Sequence, residues 1–170
     1  VKKRHQDAIL LFRMGDFYET FFDDAKACAR DLGLALTSRE KGENAVPMAG
    51  FPDHAADSYM KRLIRAGRRV AICEQLEDPK FAKGIVKRDV IEVVTPGVAF
   101  SEKVLDRKQN NYLLSVVLPS PLATSNDQVG IAFVDVTTAE FSISELPMKQ
   151  LPEQVASLMP SELLVQKRDR

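Results

Sequence analysis

The sequence has 170 residues, of which 45% are hydrophobic and 28% are charged. This composition excludes an intrinsically disordered or collagen-like chain, and the length suits one large domain or two small ones. The 24 basic and 24 acidic side chains cancel. A strongly basic nucleic-acid coat is therefore excluded, and a polyanionic partner must be bound locally.

The first hundred residues are predicted to alternate between strands and helices. Strands are assigned to short apolar runs, and helices to apolar residues that recur every three or four positions before a glycine. The predicted elements are a strand over 8–12, a helix over 21–32, a strand over 34–37, a polar loop over 40–47, a helix over 56–64, and strands over 70–73 and 86–94. Strands alternating with helices predict a compact α/β unit.

A domain boundary is predicted after residue 106. Thr95-Pro96-Gly97 ends the α/β pattern, and a polar linker follows it. The first 108 residues contain 20 basic and 17 acidic side chains, whereas the rest contain 4 and 7. We therefore assign residues 1–106 to the first domain and 107–170 to a second.

The second segment is predicted to open with antiparallel strands over residues 112–118, 129–136 and 139–144. Thr137-Thr138 closes a tight hairpin between the last two strands. This order is typical of a ribonuclease H-like arrangement, of which the segment contains only the beginning.

The sequence predicts a cytoplasmic protein. Cys28 and Cys73 are too few and too far apart for a CxxC site, so we expect buried thiols in a reducing compartment. No apolar run is long enough to span a bilayer, and the first residues do not form a signal peptide. Because the sequence begins without Met and ends on a charged run, we expect it to be part of a longer protein.

Catalytic motifs are missing from the sequence, including GxxxxGK[ST], GxSxG, HExxH and GxGxxG. His5 and His54 each stand alone, which gives no basis for a metal site or a Ser–His pair. We interpret His54 as a cap of the helix after Pro52. Asp135, on an otherwise apolar strand, and Glu140 could begin a metal-dependent nuclease site of the ribonuclease H type. Without a third acid, an Asp that fixes the hairpin is the favoured interpretation.

A basic cluster with no acid inside it consists of Lys61, Arg62, Arg65, Arg68 and Arg69. Lys61, Arg65 and Arg68 share one face of a continuous helix and could line a phosphate backbone. A solvated helix face explains the same spacing and is the favoured interpretation, because such faces are common and the chain is neutral.

Five aromatic side chains fall between residues 12 and 22, around Gly15. If Phe17 and Glu19 are extended, their side chains point the same way. The pair is then either a core Phe beside a solvated Glu, or an exposed aromatic that contacts a base beside a hydrogen-bond acceptor. Spacing alone favours the core interpretation.

These residues resemble the amino-terminal mismatch-recognition domain of the MutS family of DNA mismatch repair proteins, whose hallmark is Phe-x-Glu in this setting. The matching motifs are Met14-Gly15-Asp16-Phe17-Tyr18-Glu19, Phe22-Asp23-Asp24-Ala25, Pro47-Met48-Ala49-Gly50-Phe51-Pro52 with His54-Ala55, Val70-Ala71-Ile72-Cys73-Glu74-Gln75 and Val94-Thr95-Pro96-Gly97. The resemblance implies an α/β fold with a mixed sheet and flanking helices in the first domain. Residues 107–170 resemble the start of the family's connector domain, which is ribonuclease H-like and not catalytic.

The resemblance also implies how DNA is contacted. Phe17 would enter the minor groove and stack on a mispaired base, while Glu19 would accept or, once protonated, donate a hydrogen bond to it. Arg39 and Arg88 would contact phosphates, and Met14 and Met48 would support the wedge. Position 53 is Asp, where family members can have an aromatic or aliphatic residue, so its role is left open.

The partners implied by the resemblance are mismatched double-stranded DNA and, for a full-length bacterial protein, a second copy and a MutL-type repair partner near the nucleoid. ATP and Mg²⁺ would be cofactors of the full-length family only, because its ATPase, clamp and dimerisation regions lie further on. We therefore expect this chain to be neither an ATPase nor a ring around DNA. The alternatives are a ribonuclease H-like nuclease, or a protein-interaction module in the second segment.

Overall fold

The computed structural model describes residues 1–38, 42, 45–77, 84, 86–98, 110–119 and 127–166. The chain divides into two compact units, Val1–Thr95 and Pro96–Arg170, and each is treated separately below. Each unit has a mixed β-sheet with few helices, which confirms the predicted α/β class. The predicted boundary after residue 106 stays a prediction, since residues 99–109 lie outside the described residues.

The first unit is built on a six-stranded sheet. Its described elements are β1 (Ile9–Met14), β2 (Phe17–Phe21), α1 (Phe22–Leu32), β3 (Thr37–Ser38), β4 (Pro47–Pro52), α2 (Ala56–Arg65), β5 (Val70–Gln75) and β6 (Arg88–Val94), with 3-10 turns at Lys2–Arg4 and Asp53–Ala55. The strand order is β3-β4-β2-β1-β5-β6. Among the described strands of this unit, only β1 and β5 pair in parallel, and this pair joins the antiparallel group β3-β4-β2-β1 to the antiparallel pair β5-β6.

One face of this sheet, the helix face, packs against α1 and α2. Successive side chains of a strand point to opposite faces, which places Leu11, Thr20 and Phe51 together on this side. The ring of Phe51 is buried and stacks on Tyr59 of α2, with 4.6 Å between ring centroids. Helix α1 buries Ala25, Cys28 and Leu32 at the predicted helical spacing and ends at Gly33, whose φ is +69°.

The opposite side of the sheet is named the Phe17 face. Strand register assigns to it Leu10, Phe12, Met14, Phe17, Glu19, Phe21, Met48, Gly50, Pro52, Ala71, Cys73, Gln75, Arg88 and Val90. At one end, the buried residues Leu10, Ala71 and Cys73 form a small apolar cluster against which Phe12 and Val90 pack. Toward the β1–β2 turn the face becomes more exposed.

Two features differ from the predictions made from sequence. The strand predicted over 34–37 is reduced to Thr37–Ser38, because those two residues are the ones that pair with β4. Strand β4 was not predicted, although it pairs with the whole of β2. Helix α2 (Ala56–Arg65) agrees with the helix predicted over 56–64, and the turn that follows it contains Gly67 with a φ of +74°.

The second unit contains a four-stranded sheet in the order β10-β7-β8-β9. Its described elements are a 3-10 turn at Pro96–Val98, β7 (Tyr112–Val117), β8 (Gln128–Asp135), β9 (Glu140–Pro147), a 3-10 turn at Met148–Gln150, α3 (Leu151–Leu158) and β10 (Glu162–Val165). The three predicted antiparallel strands are confirmed as β7, β8 and β9. Leu114, Val129 and Ile131 form the core with the apolar side of α3. No helix in the described part of the chain is long and apolar enough to cross a bilayer.

Candidate nucleic-acid interface

The β1–β2 hairpin presents Phe17 at the tip of the Phe17 face. Gly15 and Asp16 form the turn, and the φ of Gly15 is +62°, a conformation that glycine adopts without strain. Phe17 starts β2 opposite Met14 of β1 and Pro52 of β4, and its side chain is 46% exposed. The core interpretation favoured by spacing is therefore wrong.

Glu19 lies one step further along β2 on the same face as Phe17. It is opposite Phe12 on one side and Gly50 on the other, and it is half-buried. Among the described residues no side chain donates a hydrogen bond to its carboxylate. As far as the described part of the chain goes, the Glu19 carboxylate oxygens can therefore accept from an outside donor beside an exposed aromatic ring.

The other predicted contact residues are brought to this face by β1, β4 and β6. Met14 is opposite Phe17, and Met48 is opposite Phe21. Arg88 is opposite Gln75, and its guanidinium donates to the carbonyls of Arg13 at 3.2 Å and Val86 at 3.1 Å. Since a guanidinium has five N–H donors, Arg88 keeps donors for a further anion. Arg39 lies outside the described residues.

An apolar pocket of about 330 Å³ continues the Phe17 face beyond Glu19. Leu10, Phe12, Phe21 and Phe22 line it, and the rings of Phe12 and Phe21 are 5.9 Å apart. An ion pair between Lys2 and Asp24 lies at its edge. The Phe17 face is thus mainly apolar, with the Glu19 carboxylate between the exposed Phe17 ring and this pocket.

The predicted cationic face of α2 does not form as a whole. Arg68 lies beyond the end of the helix and donates to Asp31 at 2.7 Å, while Arg69 pairs with Asp7 at 2.5 Å. Hydrogen bonding to Arg68 lowers the pKa of Asp31, as expected for an ion pair within the unit. These two arginines neutralise local acids, so the interpretation as a single phosphate-binding helix face is wrong.

Asp135 holds the β8–β9 hairpin through hydrogen bonds, which is the interpretation that the sequence favours. Its carboxylate accepts hydrogen bonds from the amide and hydroxyl of Thr137, at 2.9 and 2.6 Å, and from the amide of Asn111 at 2.9 Å. Glu140 accepts from the hydroxyl of Tyr112. The described residues contain no group of three His, Cys, Asp or Glu side chains placed to hold a metal ion.

Two further sequence predictions concern single side chains. Cys28 and Cys73 are buried free thiols, as predicted, and burial raises the pKa of Cys28 to about 12, which makes it unreactive. His54 does not cap α2, because its side chain makes no capping hydrogen bond. Its backbone amide instead donates to Asp53 at 2.7 Å.

Sequence reasoning missed the roles of three residues that shape the interface. Arg13 and Asp53 form an ion pair beneath the β1–β2 turn, and Gly50 lets β4 approach Glu19 closely. The resemblance includes the motif around Gly50 but implies no role for the glycine. Because Arg13 and Asp53 are 40 residues apart, no local pattern could pair them.

Comparison with known proteins identifies relatives over the whole chain. The family model described as MutS domain I matches residues 1–103, and the one described as MutS domain II matches residues 111–170. Three curated relatives carry the name DNA mismatch repair protein MutS. That of Chlorobium phaeobacteroides is 50% identical over 100% of this chain and 19% of the relative, that of Salinibacter ruber is 51% identical over 99% and 18%, and that of Caldanaerobacter subterraneus subsp. tengcongensis is 47% identical over 96% and 19%. The chain thus spans about a fifth of the length of these relatives.

Proposed function

This chain belongs to the MutS family of DNA mismatch repair proteins, and on that premise we propose that it recognises mispaired or unpaired bases in duplex DNA. Residues 1–106 make the contact, and residues 107–170 begin the connector to the rest of a longer protein. Phe17 enters the minor groove and stacks on the mispaired base. Glu19 forms a hydrogen bond with that base.

The observation that carries this proposal is the position of Phe17. Its ring is 46% exposed at the tip of a hairpin, on the same sheet face as the Glu19 carboxylate, to which none of the described residues donates a hydrogen bond. An aromatic ring can stack on any base, since every base has a π face. A wedge of this kind suits a site that must accept many different mismatches.

Discrimination follows from the deformability of DNA. Separating a normal base step costs a few kcal/mol, and a mispaired base is held less tightly in its stack. Insertion of Phe17 is therefore less costly at a mismatch than in matched duplex, so DNA stiffness is what the site measures. Glu19 adds to this difference, because phosphates repel its charge unless a displaced base offers it a hydrogen bond.

The neighbouring residues of the Phe17 face support these two. Met14 and Met48 are beside Phe17 and Phe21 in the sheet, and their flexible side chains can adapt to a tilted base. Arg88 contacts a phosphate with its remaining donors, as does Arg39. In this proposal ATP and Mg²⁺ binding, pairing with a second copy and contact with a MutL-type partner belong to the longer protein.

The proposal is tested in the Salinibacter ruber MutS protein, with this chain replacing its matching segment. Fluorescence anisotropy gives the dissociation constants for a duplex with one G·T mismatch and for its matched counterpart at fixed salt. We expect Phe17→Ala to abolish the preference for the mismatch while leaving matched binding nearly unchanged. The unaltered Salinibacter ruber protein establishes the assay.

A matched control is Phe141→Ala, which removes an aromatic ring that is even more exposed, on β9 of the second unit. This control should retain the full preference. Circular dichroism must show that both variants are folded. If Phe17→Ala discriminated as well as the parent chimera, the wedge would lie elsewhere and the proposal would be wrong.

A further inference from the structure

The turn that presents Phe17 is held at both of its carbonyl groups. Gly15 and Asp16 are the two turn residues, and each carbonyl oxygen accepts one hydrogen bond from outside the turn. Arg13 Nε donates to the carbonyl of Gly15 at 2.5 Å, and the amide of Asp53 donates to the carbonyl of Asp16 at 2.9 Å. A two-residue turn would otherwise leave these carbonyls to water.

The two donors are joined to each other by an ion pair. Arg13 Nη2 donates to Asp53 Oδ2 at 2.5 Å, and both side chains are partly buried. The hydrogen bond from Arg13 lowers the pKa of Asp53, so the pair is charged at neutral pH. The ring formed by these contacts connects β1, the turn, and the segment that follows β4.

Packing behind Arg13 fixes its guanidinium group. The guanidinium carbon lies 5.4 Å from the ring centroid of Tyr18, and the Tyr18 hydroxyl donates to Glu74 of β5. A planar guanidinium that stacks on a ring and donates through two edges has little freedom to move. Arg13 projects from the helix face, opposite Phe17, and therefore does not compete for DNA on the Phe17 face.

We propose that the Arg13–Asp53 ion pair is a positioning device that holds the β1–β2 turn so that Phe17 stands ready to insert. Neither residue touches the base, and both act through the turn. This inference rests on the proposed role of Phe17. It assigns a role to Asp53, whose role is left open by the sequence analysis.

The ion pair is expected to affect binding to mismatched duplex and not binding to matched duplex. Insertion occurs at a mismatch, where a ring held in place loses little conformational freedom on binding. Matched duplex is bound without insertion, so loosening the turn leaves that affinity unchanged. A general loss of folding would weaken binding to both duplexes, whereas a positioning role predicts a change in their ratio.

The first test is Asp53→Ala in the Salinibacter ruber chimera. The backbone amide of residue 53 remains, while the ion pair with Arg13 and the hydrogen bond from the His54 amide to the Asp53 carboxylate are lost. We expect the ratio of mismatched to matched affinity to fall by about three- to tenfold, as for one charge-assisted hydrogen bond. Asp53→Glu keeps the charge and should retain more of the ratio. Asp7→Ala, which breaks the Arg69–Asp7 pair in the same unit, should change nothing.

Two further measurements separate the possible outcomes. Amide hydrogen exchange at residues 15–17 of the folded chain should be faster in Asp53→Ala than in Asp7→Ala. In a Phe17→Ala background, Asp53→Ala should have no additional effect on the ratio, because the group it positions is gone. An unchanged ratio in Asp53→Ala overturns this inference alone if Phe17→Ala still abolishes the preference. If Phe17→Ala also discriminates normally, the proposed function itself fails.

Discussion

Phe17 leaves nearly half of its surface in water although its neighbour in the sheet, Phe51, is almost completely buried. Burial of a Phe side chain stabilises a protein by about 1.5–3 kcal/mol relative to exposure. The two rings belong to opposite faces, since Tyr18 rather than Phe17 is opposite Phe51. The helix face thus provides stability, while the Phe17 face leaves an aromatic ring free for a partner.

At Glu19, replacing the carboxylate by its neutral isostere tests whether charge contributes to discrimination. We expect Glu19→Gln to bind matched duplex as well as or better than the parent, because repulsion by phosphates is removed. The preference for a G·T mismatch should fall by about three- to tenfold. Anisotropy titrations of the chimera with both duplexes measure this. Glu145→Gln, an exposed position on β9, is the matched control. Undiminished discrimination in Glu19→Gln would show that the charge is not used.

Asp135 is expected to stabilise the second unit through its hairpin. Asp135→Asn replaces one acceptor oxygen by an amide that faces the N–H donor of Asn111 or Thr137. A donor left without an acceptor in a buried place costs about 1–3 kcal/mol. Urea unfolding at pH 7 should show a loss of this size. Asp127→Asn, an exposed position before β8, should show none.

The same variant gives a prediction for pH. Burial alone would raise the pKa of Asp135, but hydrogen bonds from Thr137 and Asn111 outweigh it and lower the pKa. A lowered pKa in the folded state means that the stabilisation is complete above about pH 4, the unfolded value, and is lost as pH falls through the folded pKa. The stability difference between the parent and Asp135→Asn should therefore shrink below about pH 4. A difference that stayed constant down to pH 2 would contradict this role.

Helices and strands whose apolar residues follow a clear pattern in the sequence could be predicted, whereas an element that depends on pairing with other strands could not. Helices α1 and α2 bury residues at three- and four-residue spacing, and β5 is a continuous apolar run, so each could be predicted. Strand β4 begins and ends with proline and contains Gly50, which are typical of loops. It is a strand because it pairs with β2 on one side and β3 on the other. Such pairing is tertiary and overrides local propensity.

The candidate site depends even more on contacts between distant segments, which local sequence patterns do not predict. Phe17 and Glu19 could be placed on one face from their spacing alone, but spacing favoured a buried Phe. Met48 and Arg88 reach that face only through the register of β4 and β6, which depends on the whole sheet. The resemblance named these residues, whereas the Arg13–Asp53 pair had no signal in the sequence. Contacts between distant segments are what sequence patterns leave undetermined.

Gly50 is expected to be required for the approach of β4 to β2. A Cβ at this position would lie 2.8 Å from the carbonyl oxygen of Tyr18 and 3.4 Å from Cγ of Glu19. Backbone cannot yield as a flexible side chain can, so Gly50→Ala should destabilise the first unit by about 1–3 kcal/mol. Gly130→Ala in β8 is the control, because its Cβ would meet only Val117 at 3.8 Å. Equal urea midpoints for the two variants would show that β4 can shift without a loss of stability, and that Gly50 is not required.

At the scale of the whole molecule, ion pairs among the described residues engage at least seven of the 24 cationic side chains that could attract DNA. The 24 basic side chains are matched by 24 acidic ones. Described pairs involve Lys2, Arg4, Arg13, Lys26, Arg30, Arg68 and Arg69. Many of these pairs are exposed and contribute little stability. Their main consequence is electrostatic, because a paired cation presents little net charge to a phosphate.

We therefore expect the 170-residue chain to bind DNA with a weak dependence on salt. Each neutralised phosphate contributes about −0.9 to the slope of log K against log salt concentration. Arg88 and a few further cations give a slope of about −2 to −4, shallower than that of a basic DNA-binding domain. Anisotropy titrations of mismatched duplex at several salt concentrations measure the slope.

Two arginine variants test which cations contribute to this slope. Arg88→Ala should reduce the magnitude of the slope by about 1, whereas Arg68→Ala should leave it unchanged because Arg68 is paired with Asp31. A slope steeper than about −6 would mean that the ion pairs open on binding and that affinity comes mainly from phosphates. A shallow slope combined with dependence on Phe17 would mean that base stacking, rather than charge, selects the binding position.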